Sequence, residues 1–284
     1  MRNILTIDVE EYYHVGRPGE GPDARELARL ASRVEADIDR VLELLEARSA
    51  RATFFVLGET ARDHPDAIAR VAAAGHEIAS HGYHHLPVET LTPEAFGVDI
   101  DRSIDVLAAC AGRRPAGYRA PIWSLSRAAW GLDALIERGF RYDSSFAPVP
   151  PLGDASLPAC PVVLRRGAGS ILELPPLSAR LGRWRYPVGF AMGLRLLPEG
   201  VIHRAIEREN REGRPAIVAM HTWELDPDPP ALRLAPSLAL AHGFGIERLA
   251  DRIGRLLSAL AFGSVEAAIS PGAAWAAAQE EAAA

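Results

Sequence analysis

The 284-residue chain is 48% hydrophobic, which supplies a sizeable core, so extensive disorder is excluded and one large α/β domain or two small ones is expected. A net charge of -6 and a pI near 5.9 leave no basic footprint for nucleic acid or for an anionic membrane surface. Cys110 and Cys160 lie far apart with no CxxC spacing, which argues against a disulfide framework and a zinc knuckle alike.

The N-terminus, MRNILTIDVEEYYHV, reads as a strand carrying acids, not as the apolar run of a signal peptide. With no stretch long enough to span a bilayer, a cytoplasmic protein without a transmembrane segment is expected. Over residues 26 to 46, Leu27, Leu30, Val34, Ile38, Val41, Leu42 and Leu45 recur at spacings of three and four, which predicts one amphipathic helix. ATFFVLG then reads as a strand, ETARDHPDAIARVAAAG as a helix closed by Gly75, and HEIAS as a strand. Thr92 and Pro93 open the next helix as cap and first turn, and GYRAP follows as a short strand. RAAWGLDALIERG and FRYDSS repeat the helix–strand unit; residues 147 to 170 are rich in Pro and Gly and predict an irregular excursion with one hairpin. GVIHRAIERENREG predicts a helix, PAIVAMH a last buried strand, and HGFGIERLADRIGRLLSALA a closing helix. The alanine-rich end from 270 to 284 reads as a low-complexity tail behind a single domain over 1–269. Alternating strands and helices without a Gly-rich phosphate loop predict a (β/α) barrel over an open sheet.

Chemistry in such barrels gathers at the C-terminal ends of strands. Asp8, Glu10, His81, His85, Arg119, Asp143 and His221 all fall there. In TIDVE, positions two apart on an extended strand face the same way, so Asp8 and Glu10 project together, one suited to hold a metal and the other to act as a base. If the backbone turned helical after HEIAS, His81 and His85 would share a face and converge on a divalent ion; His84 competes at the neighbouring spacing.

The ordered set TIDVE, HGYHH, RAPIW, YDSS and MHTWELDP resembles the polysaccharide deacetylases, the NodB-homology group of carbohydrate esterase family 4, over roughly residues 4 to 228. The spaced Asp-Val-Glu in place of adjacent acids is similar to the branch found beside exopolysaccharide gene clusters. The resemblance implies a distorted (β/α) barrel and a metal-dependent hydrolase that removes N-acetyl groups from N-acetylhexosamine units of a glycan. It assigns Asp8 as base, Glu10, His81 and His85 as ligands of a divalent ion, with zinc expected, and His221 as acid. Arg119 would pair with Asp8, Asp143 would orient a catalytic partner, and the backbone N–H near Ile122 would face the oxyanion. Trp123 and Trp223, with Tyr13, Trp184 and Tyr186 as further candidates, would offer apolar surface to a sugar ring. An O-acetyl esterase, a small-amide hydrolase, or an inactive glycan-binding barrel are the alternatives that the same residues allow.

Overall fold

The computed structural model describes residues 1–167 and 169–270, so all but the first residue of the expected tail lies outside the described residues. Asn3–Val9 (β1) is a wholly buried central strand. Thr53–Val56 (β2), Glu77–Ser80 (β3), Gly117–Tyr118 (β4) and Tyr142–Asp143 (β5) continue from it in parallel. Val162–Arg166 (β6) and Gly169–Glu173 (β7) form the hairpin of the Pro/Gly-rich excursion, with β7 parallel to β5. Ser178–Leu181 (β8) and Trp184–Pro187 (β9) make a separate hairpin. Ile217–His221 (β10) flanks β1 on its other side, and Phe262–Gly263 (β11) pairs with the start of β1.

The sheet order is β10-β1-β2-β3-β4-β5-β7-β6. Two backbone bonds draw the chain after β7 back to β10: Leu177 N–H donates to the Ile217 carbonyl, and Ala219 N–H to that of Gly189, both at 2.8 Å. The result is a distorted (β/α) barrel in one mixed α/β domain, with irregular backbone in place of regular strands at its seam.

Strand alternation divides the residues into two layers. Leu5, Ile7, Val9, Phe54, Val56, Val218 and Met220 pack outward under helix residues such as Ile38, Val41 and Leu45. Ile4, Phe55, Ala79, Tyr142 and Ile217 face inward and fill the lower barrel. Each fully buried aliphatic side chain contributes about 1.5–3 kcal/mol, so register is strongly fixed wherever this alternation holds. With register fixed, Thr6, Asp8 and Glu10 must rise on the inner side above Ile4.

The helix expected over 26 to 46 is broken. Ala24–Leu27 forms one turn, and the main helix runs Val34–Glu46. The buried Glu11 carboxylate, just beyond β1, accepts from Arg33 N–H at 3.0 Å and from the Ser32 hydroxyl, and so ties down the two residues that precede the helix. Leu27 is consequently exposed. The expected helix over 59 to 75 is split at His64, because Pro65 starts a new one.

Candidate active site

β1 delivers two carboxylates to the top of the barrel, Asp8 and Glu10, both nearly inaccessible at 4% and 3% exposure. β3 ends at Ser80, and His81 continues its inward face. The segment after it is a loop, not the helix envisaged for HxxxH: Gly82 sits at φ 80°, a left-handed conformation suited to glycine. Asp99, from the helix Pro93–Ala111, accepts the Tyr83 and His84 backbone N–H groups at 2.7 and 3.1 Å and holds this loop in shape. The loop folds His85 back over β1, where its Nε2 lies 2.8 Å from Glu10 Oε2. Ligand atoms of Glu10, His81 and His85 all lie within 4.8 Å of one another. His84 points elsewhere, its Nδ1 donating to Glu59 at 2.9 Å.

Three features fit this trio to a divalent ion. Glu10 Oε2 is buried without a hydrogen-bond partner, since the His85 ring, though close, is not aligned to donate to it. His81 Nδ1–H donates to the Arg119 carbonyl at 2.8 Å, which leaves Nε2 as a lone-pair donor toward the cluster. Two imidazoles and one carboxylate are a donor set that zinc accepts while keeping an open position. Burial pushes the His81 pKa down, which favours the neutral ligand form. For Glu10, burial acts to raise the pKa, but the neighbouring His85 and His221 imidazoles outweigh it and hold the carboxyl well below its ordinary range.

Arg119 is the largest fully buried side chain and spans the barrel interior. Its Nη1 donates to Asp8 Oδ1 at 2.7 Å, Nη2 to Thr6 Oγ1 and Ser144 Oγ at 2.9 Å each, and Nε to the Ser144 carbonyl at 3.0 Å. The Phe55 and Trp123 rings lie 4.1 and 4.9 Å from its guanidinium carbon. One Asp8 oxygen is thereby fixed, and the other lies 4.0 Å from His221 Nε2.

His221, at the end of β10, faces Glu10 Oε1 at 3.1 Å through Nε2. Its Nδ1–H donates to Glu224 Oε2 at 3.1 Å, and its backbone N–H donates to the same oxygen at 2.8 Å. The short helical turn Thr222–Leu225 carries Glu224 back onto His221. Burial disfavours the charged imidazole, yet Glu10 and Glu224 outweigh it and raise the His221 pKa well above the usual value. Buried Arg195 stands 3.2 Å behind Glu224. Glu224 had no assigned role in the sequence reading; its signal was the H-x-x-E spacing, which matches the reciprocal pattern of a capping box.

The structure leaves some expected residues outside this cluster. Asp143 is fully buried, but its register opposite Tyr118 turns it outward from the barrel, toward Glu173. There it accepts from Ser145 Oγ at 2.5 Å, and that oxygen in turn accepts from Ala120 N–H at 2.8 Å, so Asp143 braces the loop after Arg119. Trp223 is only 6% exposed, with its ring stacked between His221 at 5.2 Å and His242 at 4.3 Å, so neither face meets a sugar. Trp123 is half-buried and covers Arg119, and Trp184 and Tyr186 stand on the β8–β9 hairpin. Ile122 and Trp123 both adopt positive φ, at 57° and 56°. Consecutive left-handed residues, one of them β-branched, store strain of about 1–3 kcal/mol each. Ser124 helps pin the turn, accepting from Val88 N–H at 3.0 Å and donating to the Pro121 carbonyl at 2.6 Å.

From His85 a groove of about 870 Å³ runs between the segment after β1 on one side and the helix Gly58–Asp63 and the loop at 84–86 on the other. Tyr13, Leu30, Arg17 and Glu59 are among its walls. His14 lines it too, stacked on His85 at 5.3 Å and 11°, and burial, with the charge of His85, lowers its pKa to about 4.

Residues 32–142 match the polysaccharide deacetylase family profile, and residues 144–270 match the domain of unknown function DUF3473, a combination typical of exopolysaccharide-associated deacetylases. The chain is 31% identical over 111 residues to a peptidoglycan deacetylase of Helicobacter pylori, covering 39% of this chain and 37% of that one. It is 29% identical over 121 residues to a chitooligosaccharide deacetylase of Rhizobium leguminosarum bv. trifolii, covering 34% and 56%. Matches to these curated relatives thus span about a third to just over a half of their length. A crystallised Mycobacterium smegmatis protein assigned to the polysaccharide deacetylases shares the fold, with a TM-score of 0.62 and 24% identity over 98% of this chain and 90% of that one. Among the described residues no helix is long and apolar enough to cross a membrane. Residues 32–142 thus carry a polysaccharide deacetylase domain of the NodB-homology group, carbohydrate esterase family 4, followed by DUF3473 over residues 144–270.

Proposed function

We propose that this protein hydrolyses the N-acetyl groups of N-acetylhexosamine units in a glycan, with an exopolysaccharide as the natural polymer. The observation that carries the reading is the convergence of Asp8, Glu10, His81, His85 and His221 at the top of one barrel. A divalent ion held by Glu10, His81 and His85, zinc by its donor set, would supply Lewis acidity and lower the pKa of a bound water. Asp8, fixed on one side by Arg119, accepts the proton of the attacking water through its second oxygen. The strained turn at Ile122 presents its backbone N–H to the oxyanion as the acetyl carbon becomes tetrahedral. His221, protonated and steadied at Nδ1 by Glu224, gives its Nε2 proton to the departing amine, and acetate leaves. The groove beyond His85 receives the sugar chain, with Tyr13 as its ring-sized apolar wall.

Acetate release from N-acetylglucosamine oligomers, measured beside release from an O-acetylated glycan, tests the substrate; turnover of the second alone overturns it. Elemental analysis of the purified protein together with an Asp8→Asn variant tests the chemistry. A metal-free active protein would remove the ion from the chemistry, and unchanged turnover in the variant would remove Asp8 as the base.

A further inference from the structure

The β8–β9 hairpin stands outside every part of this site and has two unlike faces. Its register pairs Leu181 with Trp184 and Ala179 with Tyr186 on one side, and Arg180 with Arg185 on the other. Beyond Ala179, which packs on the core, the apolar side is open to solvent: Leu181 is 73% exposed, Trp184 57% and Tyr186 46%. At the tip, Gly182 turns the chain at φ 61° where an added Cβ would meet only open space, and Arg183 places its guanidinium carbon 4.8 Å from the Trp184 ring centre. Residues 178–187 carry three arginines and no acid, and none of the three forms a salt bridge within the described residues.

Such an arrangement costs stability in isolation. Like charges directly opposite on paired strands repel, a two-stranded hairpin is marginal on its own, and large apolar side chains gathered on an exposed tip mark an interaction site. Partial burial first, and then the charge of Arg180, keeps the Arg185 pKa below its ordinary value. An anionic plane resolves all three costs together. Trp and Tyr partition into the headgroup layer with Leu beneath them, while arginines extend to lipid phosphates. A glycan answers less well: sugar sites set aromatic rings beside amide or carboxylate side chains that bind hydroxyls, and residues 178–187 contain no Asp, Asn, Glu or Gln.

We propose that the β8–β9 hairpin docks the protein reversibly on an anionic lipid surface, with Leu181, Trp184 and Tyr186 entering the headgroup region and Arg180, Arg183 and Arg185 pairing with phosphates. The overall charge of -6 hides this feature because three arginines without an acid among them on one projection are averaged into an acidic molecule. The docking is independent of the reaction assigned to the barrel.

Co-sedimentation of the full chain with vesicles of phosphatidylcholine alone, and of phosphatidylcholine mixed equally with phosphatidylglycerol, tests it. Binding to the anionic vesicles only, reversed by high salt, is expected. Each arginine near an anionic surface is worth about fivefold in partitioning, so the triple Arg180→Gln/Arg183→Gln/Arg185→Gln variant should lose about a hundredfold. Leu181→Ser/Trp184→Ser should also release the protein, with circular dichroism and melting temperature like those of the parent. Absence of the parent from the anionic pellet, or pelleting that survives both variants, would overturn the proposal. So would retardation of the parent in a polysaccharide gel that is lost on Trp184→Ser while vesicles stay unbound, since that outcome makes the hairpin a glycan site.

Discussion

Glu224→Gln is the substitution that most sharply separates a working His221 from a decorative one. The side chain keeps its size and loses its charge, so the two contacts it makes to His221, at 3.1 Å from Nδ1 and 2.8 Å from the backbone N–H, weaken without leaving a cavity. A hydrogen bond to a charged group contributes about 1.5–3 kcal/mol. Taking about 2 kcal/mol as the support lost by the protonated imidazole predicts a fall in kcat of roughly thirtyfold, with KM little changed. Because Glu224 is one of the groups that raise the His221 pKa, its neutralisation lowers that pKa. The protonated acid then disappears at lower pH, and the alkaline limb of the kcat profile moves toward neutrality. Stability falls too, since Arg195 is left 4% exposed opposite an uncharged partner. Breaking a buried pair costs about 3–5 kcal/mol, and the lower end is expected because Arg195 keeps the carbonyls of Ala241 and His242 as acceptors. Rate profiles of the folded variant on an N-acetylglucosamine oligomer provide the assay. A kcat within twofold of the parent and an unmoved alkaline limb would refute the assignment of His221 as the acid.

His85→Ala should abolish stoichiometric metal by elemental analysis, whereas His84→Ala should retain it, because only His85 approaches Glu10; equal loss in both would reassign the ligand set. Gly82→Ala places a Cβ 3.1 Å from Asp99 Oδ2 at a left-handed φ, and should destabilise the protein by about 1–2 kcal/mol while weakening metal affinity, checked by denaturation and by competition with a chelator. Glu173 is buried against Asp143, and burial followed by that neighbour's charge raises its pKa well above the ordinary value. Above the usual carboxylate range the folded state therefore holds a proton that the unfolded chain has released, and stability drops as pH rises, by up to about 1.4 kcal/mol per pH unit for one group. Glu173→Gln should flatten that slope in denaturant titrations across pH, and an unchanged slope would show that the acid pair shares no proton.

Much of the barrel could be read in advance because strand periodicity and helix stripes are local. Asp8 and Glu10 illustrate the gain: spacing by two on β1 was enough to put both on one face. Other features depend on partners distant in sequence. The helix over 26 to 46 is broken by a carboxylate from residue 11, and periodicity within that window carries no trace of it. His81 and His85 do meet, but through a glycine turn gripped by Asp99, so the correct neighbours follow from a geometry other than the helical one. Asp143 sits at a strand end like Asp8, yet the register of β4 and β5 turns it outward. Trp223 reads as an aromatic near a histidine, and only the arrival of His242 on its far face removes it from the cleft.

The placement of Asp8 and Glu10 on one wholly buried strand ties quality control to chemistry. A one-residue slip of β1 against β2 and β10 would bring Ile7 and Val9 into the barrel and expel both carboxylates at once. No partly functional intermediate exists along that error. With the ion site as proposed, the fraction of a preparation that captures metal would be a census of correctly threaded molecules, obtainable without substrate.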